Sequence, residues 1–430
     1  MSENLLLLEK PSRAEIRLRQ EHLLKEMLAE ILPRNRFWSR RFQDAGLRPG
    51  EISTLEDFQR FPCTTKADLV ADQAACPLYG TNLTYPSGEY LRLHQTSGTT
   101  GVPLRWLDTR ASWDWFMRCW EQKFRLMGLR RDDRLFFAFS FGPFIGFWAA
   151  FEGANRLGNF CLAAGGLSSE ARLRFLLDNQ MTIVCCTPTY ALRLAEVAAE
   201  QKIDLSSSAV RTVLVAGEAG GNIPATRARI EAAWGARVID HWGMTEIGSL
   251  AMEAADDPGS LYLLETECIA EILDPVSGQP VTPGEEGELV LTNLGRHGSP
   301  LLRYRTGDRV RAALSGKHGD LLRLDGGILG RVDDMLTIRG NNIYPSSLED
   351  VIRQVAGVAE YRIEVRALRE MQHVRIEVEP TSEVQQPSQV AASVARAIKD
   401  RWHFQAEVLA VGVGTLPRFE LKGKRFFKIQ

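Results

Sequence analysis

Beyond Leu135 the chain alternates short apolar runs with longer amphipathic stretches. The runs Leu135–Phe139, Thr182–Cys186, Val210–Val215 and Arg237–Asp240 read as strands, and Ser168–Asn179 and Pro188–Gln201 as the helices between them. That alternation predicts parallel strands joined by crossover helices, an α/β architecture. Upstream, residues 12–32 are charged and leucine-rich at helical spacing and predict a lead-in helix, while Tyr90–His94 alternates as a short strand. Downstream, Glu267–Leu273 and Gly287–Leu294 predict antiparallel strands around the turn Asp274–Gly278. A charged segment, Gly330–Asp334, marks a boundary. Past it the pattern predicts a helix over Ser346–Val355, strands over Tyr361–Ala367 and His373–Glu379, a helix from Gln389 to Trp402 and a strand near Val408–Val413. The expected division is a large α/β domain of residues 1–331 and a small α+β domain of residues 332–430.

Composition narrows the chemistry. At 430 residues, 44% hydrophobic and 25% charged, the chain has the profile of an ordinary globular protein with a large core. A formal charge of -2 gives no electrostatic reason to expect nucleic acid or an anionic membrane as partner. The apolar runs are too short and too glycine-broken to span a bilayer, and Met-Ser-Glu-Asn is not the start of a signal peptide; a cytoplasmic location is expected. The seven cysteines form no Cys-x-x-Cys and read as reduced core residues.

The stretch with most donors and least to pack is Thr96-Ser97-Gly98-Thr99-Thr100-Gly101. Its hydroxyls and backbone N–H groups suit phosphate oxygens. Val102-Pro103 follows where a P-loop would carry Gly-Lys-Ser/Thr, so any metal or cation must come from elsewhere. Three distant segments could supply them: His241-Trp-Gly-Met-Thr-Glu246, Leu302-Arg-Tyr-Arg-Thr-Gly-Asp308 and Gly330–Gly340. Two turns also sit at the carboxyl ends of predicted strands, where open α/β sheets bind ligands: Ala216-Gly217-Glu218, and Trp242-Gly243-Met244-Thr245-Glu246.

In this order the segments resemble the acyl- and aryl-adenylate-forming superfamily. The closer likeness is to its phenylacetate–coenzyme A ligase branch, through Thr64-Thr-Lys-Ala-Asp-Leu69, Phe141-Gly-Pro-Phe-Ile-Gly146, Ala216-Gly-Glu218, Pro300–Arg305, Arg339–Pro345 and Leu416-Pro-Arg418. The resemblance spans roughly residues 55–428. It implies that ATP converts a carboxylic acid to an acyl adenylate, releasing pyrophosphate, before transfer to the thiol of coenzyme A. Glu246 would bind Mg2+, which takes hard oxygen donors and one or two carboxylates, and Thr245 would donate to the α-phosphate. Thr96 to Gly101, Ala216, Gly217, Glu218 and Gly243 would form the nucleotide site with Trp242, whose ring replaces the family's usual Tyr against adenine. Asp308 would accept from the ribose hydroxyls, joined by Arg331, and Lys66 would meet phosphate or carboxylate. Phe141, Phe144, Ile145 and His241 would line a pocket for a flat, aromatic acid.

The resemblance also implies that the C-terminal domain is mobile, turning about Asp333 and carrying a lysine that bridges the substrate carboxylate and the α-phosphate. The family's Pro-Arg-Ser-Glu-Gly-Lys pattern matches Pro417-Arg-Phe-Glu-Leu-Lys422 with two replacements, which leaves Lys422 and Lys424 as rival assignments. Arg339 and Gly340 would line the path of the thiol. Some members of the branch carry a zinc cluster after the Thr-Glu element; here Met252–Tyr262 has neither Cys nor His, so none is expected. Two alternatives stand beside the ligase: transfer of the adenylate to a carrier-protein thiol or an amine, and an inactive nucleotide-binding scaffold. A homodimer is compatible with the sequence.

Overall fold

A capping box starts the first helix, Arg13–Ile31. The Ser12 hydroxyl accepts from Glu15 N–H at 3.3 Å, and Glu15 accepts from Ser12 N–H at 2.9 Å. Its buried stripe of Ile16, Gln20, Leu24, Met27, Leu28 and Ile31 recurs at three- and four-residue steps, as a half-buried helix requires. The computed structural model describes residues 10–96, 103–143, 145–314, 317–338, 341–368, 371–420 and 422–429. Two compact units form: Met1–Gly166 with Ile239–Gly327, and Leu167–Val238 with Ile328–Gln430.

In the first unit the aromatic-rich helix Arg110–Leu126 buries Trp113, Trp115, Phe116, Trp120 and Phe124. A parallel pair, Arg134–Phe137 and Phe160–Ala163, supplies part of the predicted α/β pattern. The remaining strands run antiparallel. Arg237–Met244 pairs with Gly248–Ala254, which pairs with Asp257–Leu263, and Leu322–Asp325 joins that strand to Tyr304–Leu314. Glu286–Asn293 and Cys268–Leu273 complete the series, antiparallel as their turn predicts. Tyr90–Gln95 pairs with Arg105–Thr109 as a separate ribbon.

One strand exceeds its predicted end. Arg237–Asp240 continues to Met244, because the next connection is a tight turn over Thr245–Ile247 rather than a crossover helix. Gly243 permits the close return: a Cβ there would lie 2.7 Å from Ser249 Cα. Trp242 and Glu246 therefore belong to a hairpin.

In the second unit the strands Ile183–Cys186 and Thr212–Val215 are parallel and buried throughout, which explains their unbroken apolar runs. Helices Ser169–Asp178, Pro188–Glu200 and Pro224–Trp234 accompany them. The C-terminal residues build a four-stranded sheet in the order Glu407–Ala410, Met371–Pro380, Val358–Leu368, Phe426–Ile429. Its central pair is antiparallel and its outer pairs parallel. Leu348, Ile352, Ile363, Ile376, Val378, Val394 and Ile398 form the core between this sheet and helices Pro345–Gln354 and Pro387–Trp402. The last strand, Phe426–Ile429, escapes the sequence pattern: it is four residues long and lacks a clean polar–apolar alternation. Thr226 Oγ1 donates to Glu349 at 3.0 Å and Ala225 N–H to Asp350 at 3.1 Å, linking the two stretches of chain that make up this unit. Among the described residues no helix is long and apolar enough to cross a membrane.

Candidate active site

Four segments of the first unit meet at the Trp242–Glu246 hairpin. The Trp242 indole N–H donates to Asp308 Oδ2 at 2.7 Å, and both side chains are buried. The adenine-facing ring and the ribose carboxylate expected from the sequence are thus in direct contact. Lys66 opens the helix Lys66–Ala75, behind a Thr65–Asp68 capping box, and places Nζ 3.4 Å from Glu246 Oε1. The Lys66 side chain keeps 46% of its exposure, whereas Glu246 is buried. Thr64 ties this helix to the Asp308 strand, since its N–H donates to Arg303 O at 2.8 Å and its carbonyl accepts from Arg305 N–H at 2.9 Å.

The turn itself is held from behind. Arg296, fully buried, donates from Nη1 to Thr245 O at 2.7 Å and Glu246 O at 2.8 Å. Its other nitrogens form a bidentate pair with Asp108 at 2.7 and 2.9 Å. Burial pushes the Asp108 carboxyl up, but Arg296 and His94 outweigh it and hold the group below its ordinary range. Thr245 thus lies half-buried in a braced hairpin turn with its carbonyl committed.

Beneath Trp242 lies a buried polar cluster. Lys123 donates to Ser249 Oγ and sits over the Trp120 ring, 3.1 Å from its centroid. Ser249 Oγ lies 3.4 Å from His241 Nδ1, and the His241 ring meets Trp120 and Phe147 edge-on. Burial and then Lys123 push the His241 pKa well below its usual value, so the imidazole is neutral. Its Nε2 has no hydrogen-bond partner among the described residues. Phe147 leads on through Phe139 to Phe141, which packs edge-on against Trp148 with centroids 4.7 Å apart. Ile145 accepts from Trp148 N–H at 2.9 Å in the same turn. His241, Ile145 and Phe141 therefore share one aromatic neighbourhood; Phe144 lies outside the described residues.

Thr96 closes the neck of the Ser/Thr/Gly segment. Its N–H donates to Leu104 O at 2.9 Å, and its hydroxyl accepts from Leu104 N–H at 3.0 Å. Ser97, Gly98, Thr99, Thr100 and Gly101 lie outside the described residues, as do Arg339 and Gly340.

The second unit holds the other predicted residues. Ala216-Gly217-Glu218 follows the buried strand Thr212–Val215, and Gly217 has φ +93°, which glycine adopts without strain. A Cβ at Gly217 would stand 3.4 Å from Lys422 Cε, so the Lys422 side chain lies against this turn. Lys424 points elsewhere, with Nζ 5.3 Å from the Phe427 ring centroid. Glu218 accepts from two backbone donors, Thr189 N–H at 2.9 Å and Gly423 N–H at 2.6 Å. Asp333 is exposed; its carboxylate meets Arg331 Nε at 3.3 Å and its carbonyl accepts from Lys428 Nζ at 2.8 Å. Gly330 is explained by packing, since a Cβ there would fall 2.4 Å from the Tyr344 ring.

Sequence reasoning missed Arg296, Asp108, Lys123 and Ser249. Arg296 and Asp108 are 188 positions apart, and nothing in their local pattern announces the pair. Lys123 carried a hint, a charged residue on the buried, aromatic face with Trp113, Trp115, Phe116, Trp120 and Phe124 of an amphipathic helix. Among the described residues no group of three or more His, Cys, Asp or Glu side chains could hold a metal. Glu246 offers one buried carboxylate, as many as a cation needs that takes most of its ligands from phosphate and water.

Comparison with known proteins gives a consistent picture. A family model described as AMP-binding enzyme matches residues 89–295, and one described as AMP-binding enzyme C-terminal domain matches residues 340–429. The chain is 31% identical over 433 residues to a phenylacetate-coenzyme A ligase of Escherichia coli (strain K12), covering 98% of this chain and 97% of that protein. Its structure is similar to that of a 2-hydroxyisobutyryl-CoA ligase in the postadenylation state with 2-HIB-AMP, at a TM-score of 0.92 and 27% identity over 98% of this chain and 91% of the other. Against the same ligase with 2-HIB-AMP and CoA in the thioesterification state the TM-score is 0.74, at 29% identity and the same coverage.

Proposed function

This chain belongs to the AMP-binding enzyme family, in its phenylacetate–coenzyme A ligase-like branch, and on that premise we propose that its substrate is an aromatic or arylacetic acid. It is an acid–thiol ligase that uses ATP and coenzyme A. A carboxylate oxygen attacks the α-phosphorus of ATP, pyrophosphate leaves, and an acyl adenylate forms. The thiol sulfur then bonds to the acyl carbon as the bond to the AMP oxygen breaks and the thiol proton is lost. The protein contributes positioning and charge stabilisation, as in other transfers at phosphorus.

The observation that carries this reading is the Trp242–Asp308 hydrogen bond. It presents an aromatic face and an acceptor-only carboxylate as one surface, the complement of a purine joined to a ribose diol. Glu246, with Lys66 beside it, lies on the same hairpin and would hold magnesium, which when bound neutralises charge on the phosphates. Thr245 and the Thr96–Gly101 segment act as phosphate donors, and Lys422 steadies the charge that moves at the α-phosphate. An aromatic acid is favoured by the run of rings from His241 through Phe147 and Phe139 to Phe141.

The test is pyrophosphate release over a panel of benzoic, arylacetic and short aliphatic acids, with and without coenzyme A. Release with an aromatic acid, and thioester only when coenzyme A is present, is the expected result. A preference for short aliphatic acids would overturn the aromatic assignment. Pyrophosphate release whose acyl group never reaches coenzyme A would overturn the acceptor.

A further inference from the structure

Lys422 is exposed, as are Glu420 and Lys424. Three contacts fasten the segment around Lys422 to the amino end of the helix Pro188–Glu200. Gly423 N–H donates to Glu218 Oε2 at 2.6 Å, while Glu218 Oε1 accepts from Thr189 N–H at 2.9 Å. Arg425 Nη1 donates to Thr189 Oγ1 at 2.9 Å, and Arg425 is itself fixed by a bidentate pair with Glu360 at 2.6 and 2.8 Å. Further out, Ser169 Oγ lies 3.5 Å from Glu420 Oε1. Gly423 is suited to this place by space as well as by its N–H. A Cβ there would fall 2.0 Å from Arg425 Nη1 and 3.0 Å from Thr189 Oγ1.

The geometry of the Glu218 carboxylate points to a role distinct from nucleotide contact. Each of its oxygens meets one backbone N–H, and the two donors belong to stretches 234 residues apart, Thr189 and Gly423. We infer that Glu218 is a positioning residue, a latch that fixes Gly423 N–H against the helix and thereby holds the adjacent Lys422 side chain over Gly217 for the adenylation step. The inference rests on the ligase reading above and adds to it which group sets the lysine in place. A carboxylate suits the task, because a charged acceptor binds backbone N–H more strongly than a neutral one and offers two oxygens to two donors. An amide of the same shape offers one neutral oxygen in place of two charged ones, so Glu218→Gln weakens or loses the bonds to both donors.

The experiment pairs Glu218→Gln with Gly423→Pro, which deletes the same hydrogen bond from its other end and also sets ring carbons against Arg425 Nη1, so it reports on the loosened segment as a whole. Amide hydrogen exchange of the peptide carrying Gly423 reads the latch without any substrate. Expected is exchange at least about tenfold faster at Gly423 in Glu218→Gln, with the peptides carrying neither Gly423 nor Thr189 unchanged. Single-turnover kinetics read the consequence: pyrophosphate release falls by about tenfold or more, whereas thioester formation from supplied acyl adenylate and coenzyme A falls much less. Should Glu218→Gln fail to fold, Gly423→Pro carries the same kinetic comparison. Unchanged exchange at Gly423, or equal losses in both half-reactions together with a lowered Tm, would overturn the latch and leave Glu218 as a helix cap. Absence of pyrophosphate release by the unaltered protein with every acid would instead sink the ligase reading, and the exchange measurement would still judge the contact.

Discussion

Trp242 and Asp308, 66 positions apart, share a buried hydrogen bond of 2.7 Å from the indole N–H to Oδ2. Tryptophan at this position therefore offers more than an aromatic face. It also orients the carboxylate that is proposed to accept from the ribose. Trp242→Phe keeps a ring and removes the donor. A hydrogen bond to a charged group is worth about 1.5–3 kcal/mol, so ATP affinity measured by calorimetry should fall by roughly 10–100-fold. Asp308→Asn should weaken ATP binding at least as much. Unchanged affinity in both variants would place the nucleoside elsewhere.

Glu246 and Lys66 form the second relationship to test. With Lys66 Nζ at 3.4 Å, the buried Glu246 carboxylate has a cationic neighbour at its mouth. Glu246→Gln should abolish pyrophosphate release with little change in thermal stability, because it removes the proposed metal-binding charge. Lys66→Met should act differently, lowering the magnesium concentration needed for half-maximal rate while raising the KM for ATP. Chelation should silence the unaltered protein and readdition of magnesium restore it. Full activity of Glu246→Gln at low magnesium would refute the assignment.

Much of this arrangement was legible in the sequence, and the limit has a physical cause. Trp242–Glu246, Arg305–Asp308 and Ala216–Glu218 could be picked out because each is a short run of unusual chemistry beside a readable strand. Strands such as Ile183–Cys186 announced themselves because burial on both faces leaves no polar positions. The contacts that join the runs are tertiary. No period in the chain predicts that Arg296 braces Thr245 and Glu246 through their carbonyls, or that Trp242 reaches Asp308. The continuation of the strand to Met244 was hidden for a related reason: a crossover and a hairpin differ in the connection after the strand, not in the strand itself.

Arg296 and Asp108 are fully buried and bidentate, with 2.7 and 2.9 Å contacts. Removing one partner strands a buried charge, which typically costs about 3–5 kcal/mol. Arg296→Met should therefore lose that much stability in urea and, with the turn unbraced, lose adenylation as well. The acid-side behaviour comes from the depressed pKa of Asp108. Its folded value lies below its unfolded one, so the stabilisation is fully present above the ordinary aspartate range and disappears as pH falls through the folded value. Double replacement, Asp108→Asn with Arg296→Met, should recover part of the stability and remove that acid-side dependence. An Arg296→Met protein as stable as the parent would contradict this account.

Lys123 shares that pH slope but is a burden rather than a support, because burial penalises its charge. Burial pushes its pKa well below the lysine range, and neither Ser249 nor the Trp120 face offers a compensating carboxylate. Between the lowered folded pKa and the ordinary lysine value of about 10.4, the unfolded chain binds a proton that the folded chain does not. Stability contributed by this site therefore rises with pH across that window. Lys123→Met should raise Tm at neutral pH, by about 2–4 °C for each kcal/mol gained, and the advantage should shrink as pH approaches the ordinary lysine value. A Tm lowered by Lys123→Met at every pH would show that the contacts of Lys123 with Ser249 and the Trp120 ring outweigh the cost of its burial.

Lys422 and Lys424 separate the two half-reactions. Lys422 Cε lies where a Cβ on Gly217 would touch it, beside the turn that follows a buried strand, whereas Lys424 Nζ lies toward the Phe427 ring. If Lys422 steadies the charge that moves at the α-phosphate, it acts only while the adenylate forms. Losing one preorganised donor of that kind typically costs about 10²–10³ in rate. Lys422→Ala should therefore nearly stop pyrophosphate release yet still turn supplied acyl adenylate and coenzyme A into thioester. Lys424→Ala should change either rate by less than about threefold, in keeping with an exposed lysine over a ring. Asp333→Pro should show the opposite split from Lys422→Ala, with adenylate formed and thioester not, because proline fixes φ at the proposed pivot. An inactive Lys424→Ala beside an active Lys422→Ala would move the catalytic lysine by two positions. Normal adenylation by both variants would remove the C-terminal segment from the chemistry altogether.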